Sequence, residues 1–178
     1  MMGADLISPA PRREPLRRVA YEGFEWDDEA PSGAGFDVVS MAVRLGFEDE
    51  GSFALRWCVW QPFECLTTSA ELTGSASPLV RVLDVSGRWQ HLLGGRVVAQ
   101  RVAMQETTWG PQPWACRLSF DNGGSLVVCL GELTPDGVPV YSPDSLLVTD
   151  SREHANAYRL AASTGSAWIE ELGDADCQ

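Results

Sequence analysis

The stretch WACRLSFDNGGSLVVCLGEL, residues 114–133, decides the fold class of this chain. Two runs in which apolar and polar residues alternate flank an Asn-Gly-Gly turn, which is the pattern of a β-hairpin. The segments before and after it contain further short alternating runs separated by Gly, Pro, Ser and Asp, which are turn residues. The stretch therefore predicts a mainly-β domain built around this hairpin.

Two turns are compatible with the hairpin. A two-residue loop, 122–123, places Cys116 directly opposite Cys129. A three-residue loop, 122–124, places Cys116 opposite Leu130 and turns the apolar residues of both strands to one face. We favour the three-residue loop because a buried face constrains the register more strongly than a turn preference does. The two cysteines then lie on opposite faces of the sheet, which argues against a metal or redox site that they share.

A second hairpin is predicted upstream, in two alternating runs on either side of residues 49–51. A three-residue loop with Gly51 in the left-handed conformation places Phe47 opposite Phe53. The apolar residues of both runs then share a face, whereas a shift of one residue would separate them.

The polar face of this upstream hairpin is a candidate site. In the predicted register Arg44 lies directly across from Arg56, and like charges that face each other destabilise a ladder. The structural explanation is neutralisation by Glu48, by Asp49 or by an acid of the N-terminal segment. The functional alternative is a site for an anion or carboxylate, with the aromatic ring of Trp60 beside it.

Four segments between and after the hairpins complete the pattern. Residues 79–93 are typical of a shorter hairpin that turns at a Ser-Gly pair. Residues 97–104 favour a strand over a helical turn because they are rich in β-branched side chains. Residues 109–113 are predicted to be a loop because their two prolines lack the donor that a ladder needs. The apolar run 145–149 indicates a central strand.

The domain organisation follows from these elements. Residues 1–35 are rich in Pro and Gly and carry a basic run and then an acidic run, which predicts a flexible mixed-charge arm. Residues 36–173 are predicted to form a single β-rich globular domain with C-terminal helices, and residues 174–178 a frayed tail. The fold class is α+β, mainly β: a curved antiparallel sheet of about six to eight strands, with one or two C-terminal helices packed on it.

Composition limits the function classes. The formal net charge is -12, and an acidic chain lacks the basic surface on which nucleic-acid binding depends. No apolar run approaches the ~20 residues of a membrane span. The first residues do not resemble a secretory signal, so we expect a cytoplasmic protein.

Motifs for catalysis, metal binding or nucleotide binding are missing from the sequence. The five cysteines show no C-x-x-C spacing, and the nearest approach is Cys58 and Cys65. We expect reduced cysteines, no metal and no cofactor. His154 is better explained as a surface residue, Asp150 as a helix cap and His91 as a half-buried, hydrogen-bonded histidine than as catalytic groups, so the prediction leans away from an enzyme.

These observations favour a non-enzymatic, acidic interaction protein. The acidic stretch 22–50, with Asp27, Asp28 and Glu29, would face a basic protein partner. Trp109, an aromatic residue between chain breakers, is a candidate anchor. A small, acidic, Trp-rich antiparallel domain is similar in type to immunity proteins that neutralise bacterial toxins, a likeness that rests on no specific motif. The alternative is a domain that binds a small anionic ligand on its sheet face, and the third candidate is an enzyme of unknown class.

Overall fold

The structure is a computed structural model that describes most of the chain. The described residues are 7, 10, 13–27, 32–33, 35–48, 51–60, 63–69, 79–108 and 110–158. The strands of the first half are β1 (Leu16–Phe24), β2 (Ser32–Gly33), β3 (Phe36–Val39), β4 (Ala42–Phe47), β5 (Ser52–Trp60), β6 (Phe63–Ser69) and β7 (Val80–Asp84). The second half forms β8 (Val97–Thr107), β9 (Gly110–Phe120), β10 (Ser125–Leu130), β11 (Glu132–Leu133), β12 (Pro139–Val140), β13 (Leu146–Thr149) and the helix α1 (Arg152–Ala157).

Most of these strands belong to two antiparallel sheets. Sheet 1 has the strand order β6-β5-β4-β1-β7, and sheet 2 has the order β2-β3-β13-β10-β9-β8. The strands β11 and β12 form a separate two-stranded ladder. Both sheets contribute to one hydrophobic core, in which Leu45 and Leu55 of sheet 1 and Leu118 and Val128 of sheet 2 are fully buried. Residues of both sheets thus pack into a single core.

The prediction of a mainly antiparallel β fold is confirmed, but its finer details differ. Sheets of five and six strands replace the predicted single sheet of six to eight strands. One short helix, α1, follows β13 in the described part of the chain. Its N-cap Ser151 accepts a hydrogen bond from the His154 backbone N–H at 3.2 Å. The second predicted helix, at residues 166–172, lies outside the described residues.

The N-terminal segment departs from the prediction of a flexible arm over residues 1–35. Residues Leu16–Phe24 form β1, which lies between β4 and β7 in the interior of sheet 1. Its pairing with β4 shifts in register between Leu16 and Arg18. The buried Leu16 and Val19 are therefore three residues apart, and a search for a period of two misses the strand.

The hairpin of β9 and β10 forms, with its loop one residue earlier than predicted. The Phe120 N–H bonds to the Gly124 carbonyl at 2.9 Å, and Gly123 has a φ of 84°. The three-residue loop is therefore 121–123. Cys116 lies opposite Val128 rather than Leu130, which is a shift of two positions that keeps every side chain on its predicted face.

The hairpin of β4 and β5 shows the same displacement. Leu45 lies opposite Phe53, so the apolar residues share a face as predicted. The prediction that Arg44 faces Arg56 is wrong, because Arg44 lies opposite Ala54. The observed register relieves the repulsion that two directly opposed arginines would suffer.

The remaining segments agree in part. Residues 97–104 lie in a strand, β8, as predicted, and β13 is buried between β3 and β10. The predicted second strand of the 79–93 hairpin is wrong, because Gln90–Leu92 is a short 3-10 helix. The predicted loop at 109–113 is wrong beyond residue 109, because β9 begins at Gly110. There β9 pairs with β8 alone among the described strands, and a proline is tolerated where one side of a strand is open.

Candidate functional site

A buried carboxylate, Glu22 of β1, lies between the two predicted arginines on the outer face of sheet 1. A guanidinium nitrogen of Arg44, Nη2, forms an ion pair with Glu22 Oε1. The corresponding nitrogen of Arg56 is 3.8 Å from Glu22 Oε2. The Glu22 side chain is 4% exposed and that of Arg44 13%, whereas that of Arg56 is 38% exposed. Arg44 and Glu22 are therefore a buried pair, and Arg56 is a more exposed neighbour.

The strand register explains how one carboxylate reaches both arginines. Ala42 of β4 lies opposite Glu22 on one side and opposite Arg56 on the other. Because its side chain is a single methyl group, Glu22 and Arg56 approach each other across β4. Arg44 is two residues along the same strand and faces the same way. The acid that neutralises the arginines thus comes from the N-terminal segment, one of the sources considered from the sequence.

The other predicted site residues do not join this cluster in the described part of the chain. Trp60 ends β5 opposite Phe63, and its side chain lies outside the described atoms. Trp109, Asp28 and Glu29 lie outside the described residues.

Asp27 is described, and its carboxylate is used within the fold. Its Oδ2 accepts hydrogen bonds from the Phe24 N–H at 2.7 Å and from the Ser40 hydroxyl at 2.5 Å. These bonds close the turn after β1 and tie it to the connection between β3 and β4. The carboxylate of Asp27 therefore stabilises this turn.

An exposed apolar surface lies beside Glu22 at the end of β1. The rings of Phe24 and Trp26 stack in parallel with centroids 4.8 Å apart, and Trp26 is 66% exposed. The Glu25 N–H bonds to the Leu79 carbonyl at 2.9 Å, and Val82 lies opposite Glu22. Leu79 and Val82 are also exposed. We call Phe24, Trp26, Leu79 and Val82 the Trp26 patch.

The sequence analysis did not identify this patch. Trp26 belongs to the segment predicted to be an arm, and Leu79 and Val82, which lie just before and within β7, come more than fifty residues later. The alternation of β7 gives no sign that both Leu79 and Val82 face solvent. The pairing of β1 with β7 brings these residues, which are distant in the sequence, to the same end of sheet 1.

A buried polar network joins the two sheets behind the patch. The Tyr21 hydroxyl of β1 donates a hydrogen bond to Asp37 Oδ2 of β3 at 2.8 Å, and accepts one from the Trp89 indole N–H at 2.8 Å. Arg88 Nη2 lies 2.5 Å from the second carboxylate oxygen, Asp37 Oδ1. Burial raises the pKa of Asp37, and the Tyr21 hydrogen bond and the charge of Arg88 oppose that rise.

The raised pKa of Asp37 gives a testable dependence of stability on pH. The folded protein holds this proton more tightly than the unfolded chain, whose Asp pKa is about 3.9. The stabilisation is fully present below the unfolded pKa and is lost as pH rises through the folded pKa. We expect the stability of the wild type relative to Asp37→Asn, measured by urea unfolding from pH 4 to pH 7, to fall as pH rises.

Asp84→Asn is the matched control for this measurement. Hydrogen bonds from Ser86 lower the pKa of Asp84, which also forms an ion pair with Arg18. Its contribution is present above the unfolded pKa and is lost as pH falls through the folded pKa. The wild type should therefore gain stability over Asp84→Asn as pH rises from about 2 to 4, so this pair is measured down to about pH 2. The same sign of slope for both variants would contradict the assignment.

The groups considered for catalysis, His91, Asp150 and His154, form contacts within the fold. His91 Nε2 lies 3.2 Å from Asp150 Oδ2 at the surface. The ring of His154 lies directly over Gly35, where a Cβ atom would be 1.8 Å from its Nδ1.

Within the described ranges, no group of three or more His, Cys, Asp or Glu side chains is placed to hold a metal ion. No helix in the part of the chain that the structure describes has the length and apolar character to span a membrane.

Nothing matches this chain in comparisons with protein-family models, with curated proteins and with solved structures.

Proposed function

We propose that this chain is a non-enzymatic interaction protein that binds a basic protein partner through the Trp26 patch. The observation that carries the proposal is the stacked Phe24–Trp26 pair, whose indole is 66% exposed. Exposed Trp side chains that are already held in place lose little freedom on binding and are frequent anchors of protein interfaces. Leu79 and Val82 are exposed apolar residues of the neighbouring segment that pairs with the end of β1, and exposed apolar residues are expected at the centre of an interface.

Charge indicates the chemistry of the partner. The chain has 25 acidic and 13 basic residues. Several arginines are already paired with carboxylates, including Arg17 with Glu48 at 2.7 Å and Arg18 with Asp84 at 2.8 Å. The acidic excess therefore attracts a basic surface and steers its approach. A protein that neutralises a basic toxin would act in this way, with an aromatic anchor in a pocket and acids around it.

The acids of the stretch 22–50 differ in how available they are to a partner. Glu22 and Asp37 are buried, and Asp27 braces a turn. These three acids are used inside the fold and are poor candidates for partner contacts. Glu25, which is exposed, and Asp28 and Glu29, which follow Asp27 in the sequence, are the acids that we propose attract the partner's basic residues.

Replacing the anchor is the central test. A partner captured from an extract of the native host is purified, and its affinity is measured for the wild type and for Trp26→Ala. Loss of a central aromatic anchor costs about 2 kcal/mol or more, so we expect the Kd to rise at least ~30-fold, mainly through faster dissociation.

Val82→Ser and Val98→Ser form a matched pair for this test. Both valines are exposed, at 44% and 53%, but Val98 lies on β8 of the other sheet. Val82→Ser should weaken binding and Val98→Ser should not. Wild-type affinity in both Trp26→Ala and Val82→Ser would rule out the patch as the interface.

Reversing the charge of Glu25, Asp28 and Glu29 should slow association and reduce its dependence on salt.

An anionic small molecule at Arg44 and Arg56 is the less favoured ligand. Glu22 already occupies the space between the two guanidinium groups, so the cluster has a formal charge of only +1. An anion would have to compete with a buried carboxylate for Arg44, and only Arg56 is substantially exposed.

A further inference from the structure

Two cysteines lie directly opposite each other in the hairpin of β5 and β6. Cys58 pairs with Cys65 in the antiparallel register, and their Sγ atoms are 3.3 Å apart, within hydrogen-bonding distance. Directly opposed residues of antiparallel strands have Cα atoms about 4.5 to 5.5 Å apart. This separation lies within the ~4.4 to 6.8 Å that a disulfide spans. A bond between these sulfurs can therefore form without a change of register.

The two thiols differ in accessibility and acidity. Cys58 is half-buried, whereas Cys65 is fully buried. The hydrogen bond from Cys65 lowers the pKa of Cys58 to about 7, although burial acts in the opposite direction. The same contact raises the pKa of the Cys65 thiol. Cys58 is thus the more accessible thiol and the one whose pKa is lowered, and the thiolate is the form that reacts.

The other described cysteines lack this combination. Cys116 and Cys129 are fully buried, and they lie on opposite faces of sheet 2. Burial raises the pKa of Cys116 to about 12 and also raises that of Cys129. Buried thiols in apolar surroundings are inert. Cys116 therefore serves as an internal reference for any reaction at Cys58.

We propose that Cys58 and Cys65 form a reversible thiol–disulfide site that is oxidised by low-molecular-weight disulfides. The Cys58 thiolate attacks one sulfur of a disulfide RSSR, forming a mixed disulfide and releasing RS⁻, which takes up a proton. The Cys65 thiol then loses its proton to solvent and attacks Cys58 Sγ, which releases the second RS⁻. The net reaction converts two protein thiols and RSSR into one protein disulfide and two RSH.

The order of the two steps follows from the same contact. A thiolate at Cys58 is the principal reason that the Cys65 proton is held tightly, together with burial. Once Cys58 is bonded to RS, that negative charge is gone and Cys65 ionises more easily. Cys65 is therefore suited to the resolving role, and Cys58 to the attacking one.

Trypsin offers a direct readout because the chain contains no Lys and the arginines separate the cysteines. Cleavage after Arg56 and Arg81 gives a peptide, residues 57–81, that holds both Cys58 and Cys65 and no other cysteine. The wild-type protein is equilibrated with mixtures of glutathione and oxidised glutathione, free thiols are blocked with N-ethylmaleimide, and the digest is analysed by mass spectrometry.

We expect peptide 57–81 to lose two hydrogen atoms under oxidising mixtures and to regain them with dithiothreitol. Peptide 102–117, which carries Cys116, should not react. The fifth cysteine, Cys177, lies on the tryptic peptide 160–178. Two maleimide groups on peptide 57–81, under conditions in which Cys177 forms a mixed disulfide with glutathione, would overturn the proposal. So would two stable glutathione adducts on peptide 57–81 without ring closure.

The roles of the two thiols are separated by variants whose folding is checked by circular dichroism. In Cys65→Ala the mixed disulfide on Cys58 should accumulate, because the resolving thiol is missing. Alkylation of Cys58 by iodoacetamide at pH 7 should slow by ~10-fold or more, because a thiol without its hydrogen bond returns toward its usual pKa of about 8.5. Unchanged alkylation, or a Cys65 that reacts as fast in Cys58→Ala, would contradict the assignment. These outcomes are independent of whether the Trp26 patch binds a partner.

Discussion

Glu22→Ala should lower the free energy of unfolding by about 3 to 5 kcal/mol, because it leaves the guanidinium group of Arg44 buried without its counter-charge. The side chain of Arg44 is only 13% exposed, so water replaces the lost carboxylate poorly. Arg56, at 38% exposed, recovers solvent more easily and adds less to the cost. Urea unfolding of the wild type and the variant at pH 7 measures the difference.

Glu48→Ala is the matched control. Glu48 also forms an ion pair, with Arg17 at 2.7 Å, but the two side chains are 47% and 55% exposed. Exposed pairs of this kind contribute about 0 to 1 kcal/mol. Equal effects of Glu22→Ala and Glu48→Ala would show that the Glu22 cluster is not a buried ion pair.

Tyr21→Phe should destabilise the protein by about 3 kcal/mol, although it removes a single oxygen atom. The hydroxyl donates to the Asp37 carboxylate and accepts from the Trp89 indole, both at 2.8 Å. A hydrogen bond to a charged group contributes about 1.5 to 3 kcal/mol, and a buried donor left without an acceptor costs about 1 to 3 kcal/mol. Because the hydroxyl connects β1 of sheet 1 to β3 of sheet 2, the substitution weakens the contact between the two sheets.

Tyr158→Phe isolates the effect of removing a buried hydroxyl. The Tyr158 hydroxyl donates to the Leu130 carbonyl at 2.6 Å, and Tyr158 is buried at the end of α1. This variant removes a bond to a neutral acceptor, so we expect a cost of about 1 to 2 kcal/mol. A Tyr21→Phe effect no larger than this, in parallel thermal or urea unfolding, would contradict the network.

The face that each strand buries could be predicted from the sequence, but the position of each loop could not. Alternation of apolar residues indicates which side chains share a face, and it placed Leu45 with Phe53 and separated Cys116 from Cys129. A loop that moves by one residue shifts the pairing by two positions and leaves every face unchanged. The alternation of apolar residues therefore cannot reveal this shift. The shift is the reason that Arg44 lies opposite Ala54 rather than Arg56.

The candidate sites were predicted only in part, for a different physical reason. The two arginines were recognised because they share the polar face of one hairpin. Glu22 and Trp26 were not, because the irregular pairing near Leu16 hides the strand that carries them. Their environment depends on β7, whose sequence gives no sign of where it pairs. Sites formed by strands distant in the chain depend on topology, which local alternation does not encode.

The pairing of β3 with β13 has a consequence for the nascent chain. All five strands of sheet 1 are synthesised by residue 84, whereas β3 pairs with β13 only after residues 146–149 have been made. At ~5 to 20 residues per second, a ribosome needs about 3 to 13 s to synthesise the chain from residue 85 to residue 149. During this time sheet 1 can form, but sheet 2 lacks β13, the strand that joins β3 to β10. Sheet 2 is therefore completed only near the end of translation, when β13 joins its two halves.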